Sequence, residues 1–180
     1  MKIRIALIAF ALLLCTSVMA ADKPALDIPI YPGGESTMEV DLSNQDLIPM
    51  IKAMLPMMTG KMGSLAEKIN PDDLTAAIKD VKRVEVMQVE VTKNATEADV
   101  SDYYAKHIPV GQWSRIFWQR QSSMGTIAIF MQGTGDAMYG YQVQSAVVDG
   151  KPVKKILVAK TEGKVDYAKL LAIASKFIVQ

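Results

Sequence analysis

One cysteine and one histidine among 180 residues leave little material for nucleophilic, acid–base or thiolate chemistry. Histidine is the commonest general base at neutral pH, so His107 is the single obvious candidate for that role. It lies four residues after Tyr103 near the end of a helical pattern, where a cation meets the negative helix end, and it reads as a capping or packing residue. The alternative is an enzyme with a site near His107, but nothing in the linear sequence aligns a nucleophile and an orienting acid with it. Charge of one sign is also missing: 20 basic residues face 19 acidic ones, and the basic residues are scattered apart from Lys151, Lys154 and Lys155 around one turn. Phosphate backbones draw on a concentrated basic surface, so nucleic acid is not expected as a partner. Gly133 and Gly135 flank Thr134, but a strand pattern follows instead of a helix, so they read as a hairpin turn and not as a phosphate loop. No stretch has the alternating acids and closing glutamate of a calcium loop. No motif asks for a cofactor or a metal.

Long apolar runs are absent as well. The longest, Ile5 to Cys15, follows Lys2 and Arg4 and precedes Val18-Met19-Ala20. It is shorter than the roughly 20 residues that span a bilayer, and its flanks are those of a secretory signal peptide. Residues 1–20 are therefore expected to be removed, with no transmembrane span left after cleavage. Leu14 occupies the place where a small residue precedes a lipidated cysteine, which disfavours an anchor at Cys15. The location expected is exported, periplasmic or extracellular. If Cys15 leaves with the signal, the mature chain can form no disulfide.

What is present describes a fold. Residues 21–36 contain Pro24, Pro29, Pro32 and the pair Gly33-Gly34, which disfavour regular structure and suggest an extended arm. Residues 37–180 read as a single α+β domain, a mostly antiparallel sheet with helices packed on it. Met38, Val40 and Leu42 alternate as a short strand. Ser43 with Asp46 resembles a helix cap, and an apolar stripe runs from Leu47 through Ile51, Met54 and Met58 to Ile69. Pro56 should kink or split that helix, because it lacks the amide donor and crowds the preceding turn. Asn70-Pro71-Asp72-Asp73 and Thr96 with Asp99 mark two further helix starts. Between them Arg83 to Thr92 is valine-rich, with an apolar face that changes between Val86 and Met87; a bulge or burial on both faces would account for it.

From Trp113 to Lys160 four strand patterns follow one another. Ile127, Ile129 and Met131 alternate with Thr126, Ala128 and Phe130, and Tyr139, Tyr141, Val143 and Val147 with Gly140, Gln142, Gln144 and Ala146, as half-buried strands require. Asp149-Gly150 suits the two-residue type I′ hairpin. Near Asp166 a last amphipathic helix carries Tyr167, Leu170, Leu171, Ala174, Phe177 and Ile178. Strands that run consecutively point to α+β architecture.

Two clusters could bind something. Met50, Met54, Met57, Met58 and Met62 fall within thirteen residues. Flexible thioethers fill a core readily, but they also make an adaptable apolar groove for a protein or an apolar ligand in the cell envelope, and they are soft ligands for copper(I). Trp113 and Trp118, with Tyr103, Tyr104 and Phe117, read as one aromatic layer of the core, or as a platform for a carbohydrate or aromatic ligand.

The Tyr103-Tyr104 helix leading to Trp113, the consecutive strands, and Ile156-Leu157-Val158-Ala159-Lys160 followed by Gly163-Lys164-Val165-Asp166 and Leu170 resemble an exported bacterial family, catalogued as domain of unknown function 4252. The resemblance spans Leu47 to Ile178. It implies an envelope-associated α+β domain without an established enzymatic activity, and it supplies no functional residues. The function expected is a non-enzymatic binding module of the bacterial envelope using the methionine-rich helical surface.

Overall fold

The structure, a computed structural model, describes residues 27–62, 70–92, 95–108, 112–121 and 125–175, and describes no side chain for residues 54–62, 71, 121, 171 and 173–175. In chain order the elements are β1 (Gly34–Ser43), α1 (Asn44–Met62), α2 (Pro71–Ile78), β2 (Asp80–Val91), α3 (Glu97–His107), β3 (Trp113–Gln121), β4 (Gly125–Gln132), β5 (Ala137–Val148), β6 (Lys151–Lys164) and α4 (Tyr167–Ser175). The six strands form one antiparallel sheet in the order β1-β2-β6-β5-β4-β3. The fold is α+β, with β1 and β3 at the two edges.

Local signals place the elements. Asn70 caps α2 by accepting from the Asp72 amide at 2.9 Å, with Pro71 at the first helical position. Thr96 and Asp99 form a reciprocal capping box at the start of α3, the Asp99 amide donating to Thr96 Oγ1 at 3.1 Å and the Thr96 amide to Asp99 Oδ2 at 2.9 Å. The Thr96 hydroxyl, which donates to Asp99 Oδ2 at 2.7 Å, and after it the Thr96 amide hold the Asp99 carboxyl below the usual carboxylate range. The β5–β6 hairpin turns at Asp149 and Gly150, whose φ angles of 50° and 75° are the positive pair that a type I′ turn needs.

Helices cover both faces of the sheet. On the first, Leu47 and Ile51 of α1 and Leu74 and Ile78 of α2 close over Val40, Leu42, Val84 and Val86, with Tyr167 and Leu170 of α4 packed alongside. On the second, Val100 and Tyr104 of α3 and Ile28 of the N-terminal arm lie over Met87, Val89, Ile156, Val158, Tyr141 and Val143. Burial on both faces is therefore the reason for the phase change in β2, where Val84, Glu85, Val86 and Met87 are all buried in succession.

Two expectations are corrected, and of the two outcomes expected at Pro56 the split does not occur: α1 runs as one element from Asn44 to Met62, about 28 Å at 1.5 Å per residue. A proline removes one amide donor, and here the ladder continues on both sides of it. The strands are not half-buried throughout, because Thr126, Ile127 and Ala128 are covered on both faces, while Val147 near the hairpin tip is 72% exposed. The sheet also begins at Gly34, inside the stretch expected to be an arm. Three contacts tie the described part of the arm to the rest: Ile28 is buried, the Tyr103 hydroxyl donates to the Ile30 carbonyl at 2.9 Å, and Lys160 Nζ donates to Asp27 Oδ2 at 2.8 Å. Among the described residues no helix is long and apolar enough to cross a membrane.

Candidate functional site

The sequence-predicted residues separate in the fold. Met50 is half-buried against the first core cluster. Met54, Met57, Met58 and Met62 lie on α1, but their side chains fall outside those described. His107 is exposed at the end of α3, where the Tyr103 carbonyl accepts from its Nδ1 at 2.7 Å and its ring lies 3.9 Å from that of Tyr103. Both contacts are local to one helical turn, the arrangement of a capping residue.

The expected aromatic layer forms only in part. Tyr31, Tyr103 and Tyr104 meet edge to face at 5.2 Å, and Trp113 meets Tyr139 at 6.4 Å. A bulge between Arg115 and Phe117 shifts the alternation of β3, so Phe117 pairs with Ile129 on the first face while Trp118 pairs with Ala128 on the second. There α3 does not reach over it, and Trp118 is 51% exposed.

Pairing across the sheet aligns a polar row on the second face: Asp41, Glu85, Lys160 and Tyr139 stand side by side on β1, β2, β6 and β5. Arg83, one pleat along, clamps Asp41 with two hydrogen bonds of 2.8 and 3.0 Å. Its Nη2 also comes within 2.7 Å of Glu85 Oε1, but outside hydrogen-bond geometry, and Lys160 Nζ lies 3.9 Å from Oε2. Glu85 is 1% exposed and neither of its carboxylate oxygens has a hydrogen-bond partner among the described residues. Sequence reasoning passed over this centre because Glu85 sits in a valine-rich strand and its partners are distant in the chain.

Tyr139, at the end of that row, is buried with a hydroxyl that has no hydrogen-bond partner among the described residues, whereas the Tyr141 hydroxyl donates to the Ser101 carbonyl at 3.1 Å. Burial drives the Tyr139 phenol far above its usual range. A made hydrogen bond contributes about 1 kcal/mol, and a buried unmade one costs about as much or more. Tyr141→Phe should therefore lose about 1 kcal/mol in urea unfolding, and Tyr139→Phe should lose nothing or gain. Equal losses would mean that the Tyr139 hydroxyl is satisfied after all.

A second polar feature is an open depression of ≈ 670 Å³ beside the end of β6, with Lys79, Lys82, Lys164, Asp80 and Asp136 in its wall. The Asn44 side-chain amide in the same wall donates to the Val81 carbonyl at 2.6 Å, tying α1 to the entry of β2. Its charges are of both signs, and Lys79 lies 3.7 Å from Asp80.

The outer edge of β3 is different. Trp113, Arg115, Trp118 and Arg120 share the second face, through their pairing with Gln132, Phe130, Ala128 and Thr126. Arg115 is exposed with no ion pair among the described residues, and Arg120 makes one loose contact, 3.7 Å to Glu97. The strand carries two arginines and no acid. As an edge it has a row of backbone amides and carbonyls that pairs with no described strand. A half-exposed indole between two arginines, beside an open ladder, can accept an extended chain bearing carboxylates and apolar side chains. Compared with family models, with curated proteins and with solved structures, the chain finds no match.

Proposed function

We propose that this chain is an exported, non-enzymatic interaction module of the bacterial cell envelope, and that it captures an extended acidic polypeptide segment along the open edge of β3. Export rests on the signal-like residues 1–20 and on the resemblance to an exported family. The capture surface rests on one observation, the exposed Trp118 flanked on the same face by Arg115 and Arg120. Native edges are ordinarily blunted by charge and by bulges, and β3 has both; an exposed indole adds nothing to that protection. Strand addition would draw affinity from the backbone ladder and selectivity from alternate side chains. Acids would meet the arginines, and an apolar side chain would cover the indole. The expected methionine surface is set aside in this reading because Met50 is drawn toward the core.

Trp113→Phe leaves Trp118 as the single tryptophan of the chain. Titrating that variant with a peptide of alternating glutamate and valine should shift Trp118 emission to shorter wavelength with a saturable curve, and the same peptide with lysine for glutamate should not. A flat response to both, or an equal response, would defeat the proposed function.

A further inference from the structure

The two edges of the sheet are opposite in charge. β1 carries Glu35, Glu39 and Asp41 and no basic residue, whereas β3 carries Arg115 and Arg120 and no acid. Glu39 is exposed and, like Arg115, has no ion pair among the described residues. Six strands that alternate in direction leave β1 and β3 antiparallel to each other. A second copy placed beside the first without being turned over therefore sets its β1 antiparallel to the first copy's β3, with corresponding faces continuous.

We infer that the segment captured by β3 is β1 of a second copy of this chain, so that molecules add head to tail into one extended sheet. This rests on the reading of β3 given above and names the partner. One register fits: Trp113 beside Asp41, Arg115 beside Glu39, Trp118 beside Ser36 and Arg120 beside Gly34. In the monomer all four β3 residues pair toward the second face, and so do all four β1 residues, through Glu85, Met87, Val89 and Val91. Each edge strand carries a bulge, between Ser36 and Met38 in β1 and between Arg115 and Phe117 in β3. A bulge in one strand breaks a ladder; in this register the two lie opposite each other, so the pleats stay in step along the whole contact. Moving the register by two residues sets the bulges out of phase and puts side chains of opposite faces together. Pairing β3 with another β3 would bring two acid-free, arginine-bearing strands together, and like charges directly opposite are destabilising. The contact is heterologous, and with the twist of the sheet it need not close, so open chains of molecules are expected.

Charge reversal tests the inference with a built-in control for folding. The purified chain should show association that grows with concentration in sedimentation velocity. Arg115→Glu and Glu39→Arg should each weaken it at least about tenfold by setting like charges opposite each other. An equimolar mixture of the two variants should recover it, because every contact between unlike molecules again pairs an arginine with a glutamate. Loss by misfolding cannot be repaired by mixing. A parent chain that stays monomeric, single variants that associate as well as the parent, or a mixture that remains monomeric would each overturn the inference. Should the glutamate–valine peptide still bind in such a case, β3 would be an acidic-segment site for a partner other than this chain. Should the peptide fail as well, the proposed function falls with it.

Discussion

Replacing Arg83 by methionine should cost about 3 kcal/mol of stability, and replacing Glu85 by leucine in the same molecule should restore most of it. Arg83 is the residue that makes the burial of Glu85 tolerable: its guanidinium stands 2.7 Å from Oε1, and the next cation, on Lys160, is 3.9 Å from Oε2. Without Arg83 a carboxylate that is 1% exposed keeps one distant counter-ion and no hydrogen bond among the described residues. Removing one partner of a buried pair typically costs about 3–5 kcal/mol, whereas apolar residues replacing both are often neutral. Arg83 is itself partly exposed, which favours the lower end of that range. Chemical unfolding of the two variants decides the matter. A double variant as unstable as Arg83→Met would show that the loss comes from packing or from the Asp41 clamp, and that Glu85 is not the strained charge.

Gly125→Ala is expected to do still more damage, at least about 4 kcal/mol, in the class that single substitutions reach only by a definite mechanism. Gly125 opens β4 at φ +71°, and a Cβ added there would collide with the Val143 carbonyl oxygen of β5. That oxygen belongs to the backbone of an interior strand and cannot turn aside as a side chain would. Relief requires β4 to move from β5, which loosens β3 with it and breaks the edge on which the proposed function depends. Gly150 is the comparison. Its φ of +75° is equally left-handed, but an added Cβ meets nothing within 4 Å, so Gly150→Ala should cost only the conformational strain, about 1 kcal/mol. Thermal unfolding of the two variants separates collision from strain, and similar losses at both sites would remove the collision from the account.

Much of the architecture was legible because it is written locally. A cap needs a hydroxyl or amide and an amide two or three residues away, as at Asn70 and Thr96; a type I′ turn needs two adjacent residues that accept positive φ, as Asp149 and Gly150 do. Strand periodicity requires only the next few side chains. The misreadings arose where a distant element decided the outcome. The alternation in β4 suggested one wet face, but Thr126, Ile127 and Ala128 are buried in succession, so both faces are covered there. The five aromatics between Tyr103 and Trp118 looked like one layer, but the bulge at Ile116 takes Phe117 off the face of Trp113 and puts Trp118 on it.

The candidate site was less legible still. Trp118 was noticed as an aromatic, yet neither its exposure nor its alignment with Arg115 follows from spacing, since a simple two-residue period would set Trp118 opposite Arg115. The buried Glu85 centre gave no sequence signal at all: Asp41 and Arg83, 42 residues apart in the chain, meet only when β1 and β2 pair.

On its own, the sequence determined the class of fold, the helix starts, the tight hairpin and the shortage of reactive side chains, because these depend on residue type and on neighbours within a few positions. Tertiary structure alone decided which strands stand at the edges, which face each charge occupies and which carboxylate is shut away from water. Those are properties of strand order and register, and register is settled by contacts between residues tens of positions apart, where a shift of one residue exchanges the two faces of a strand.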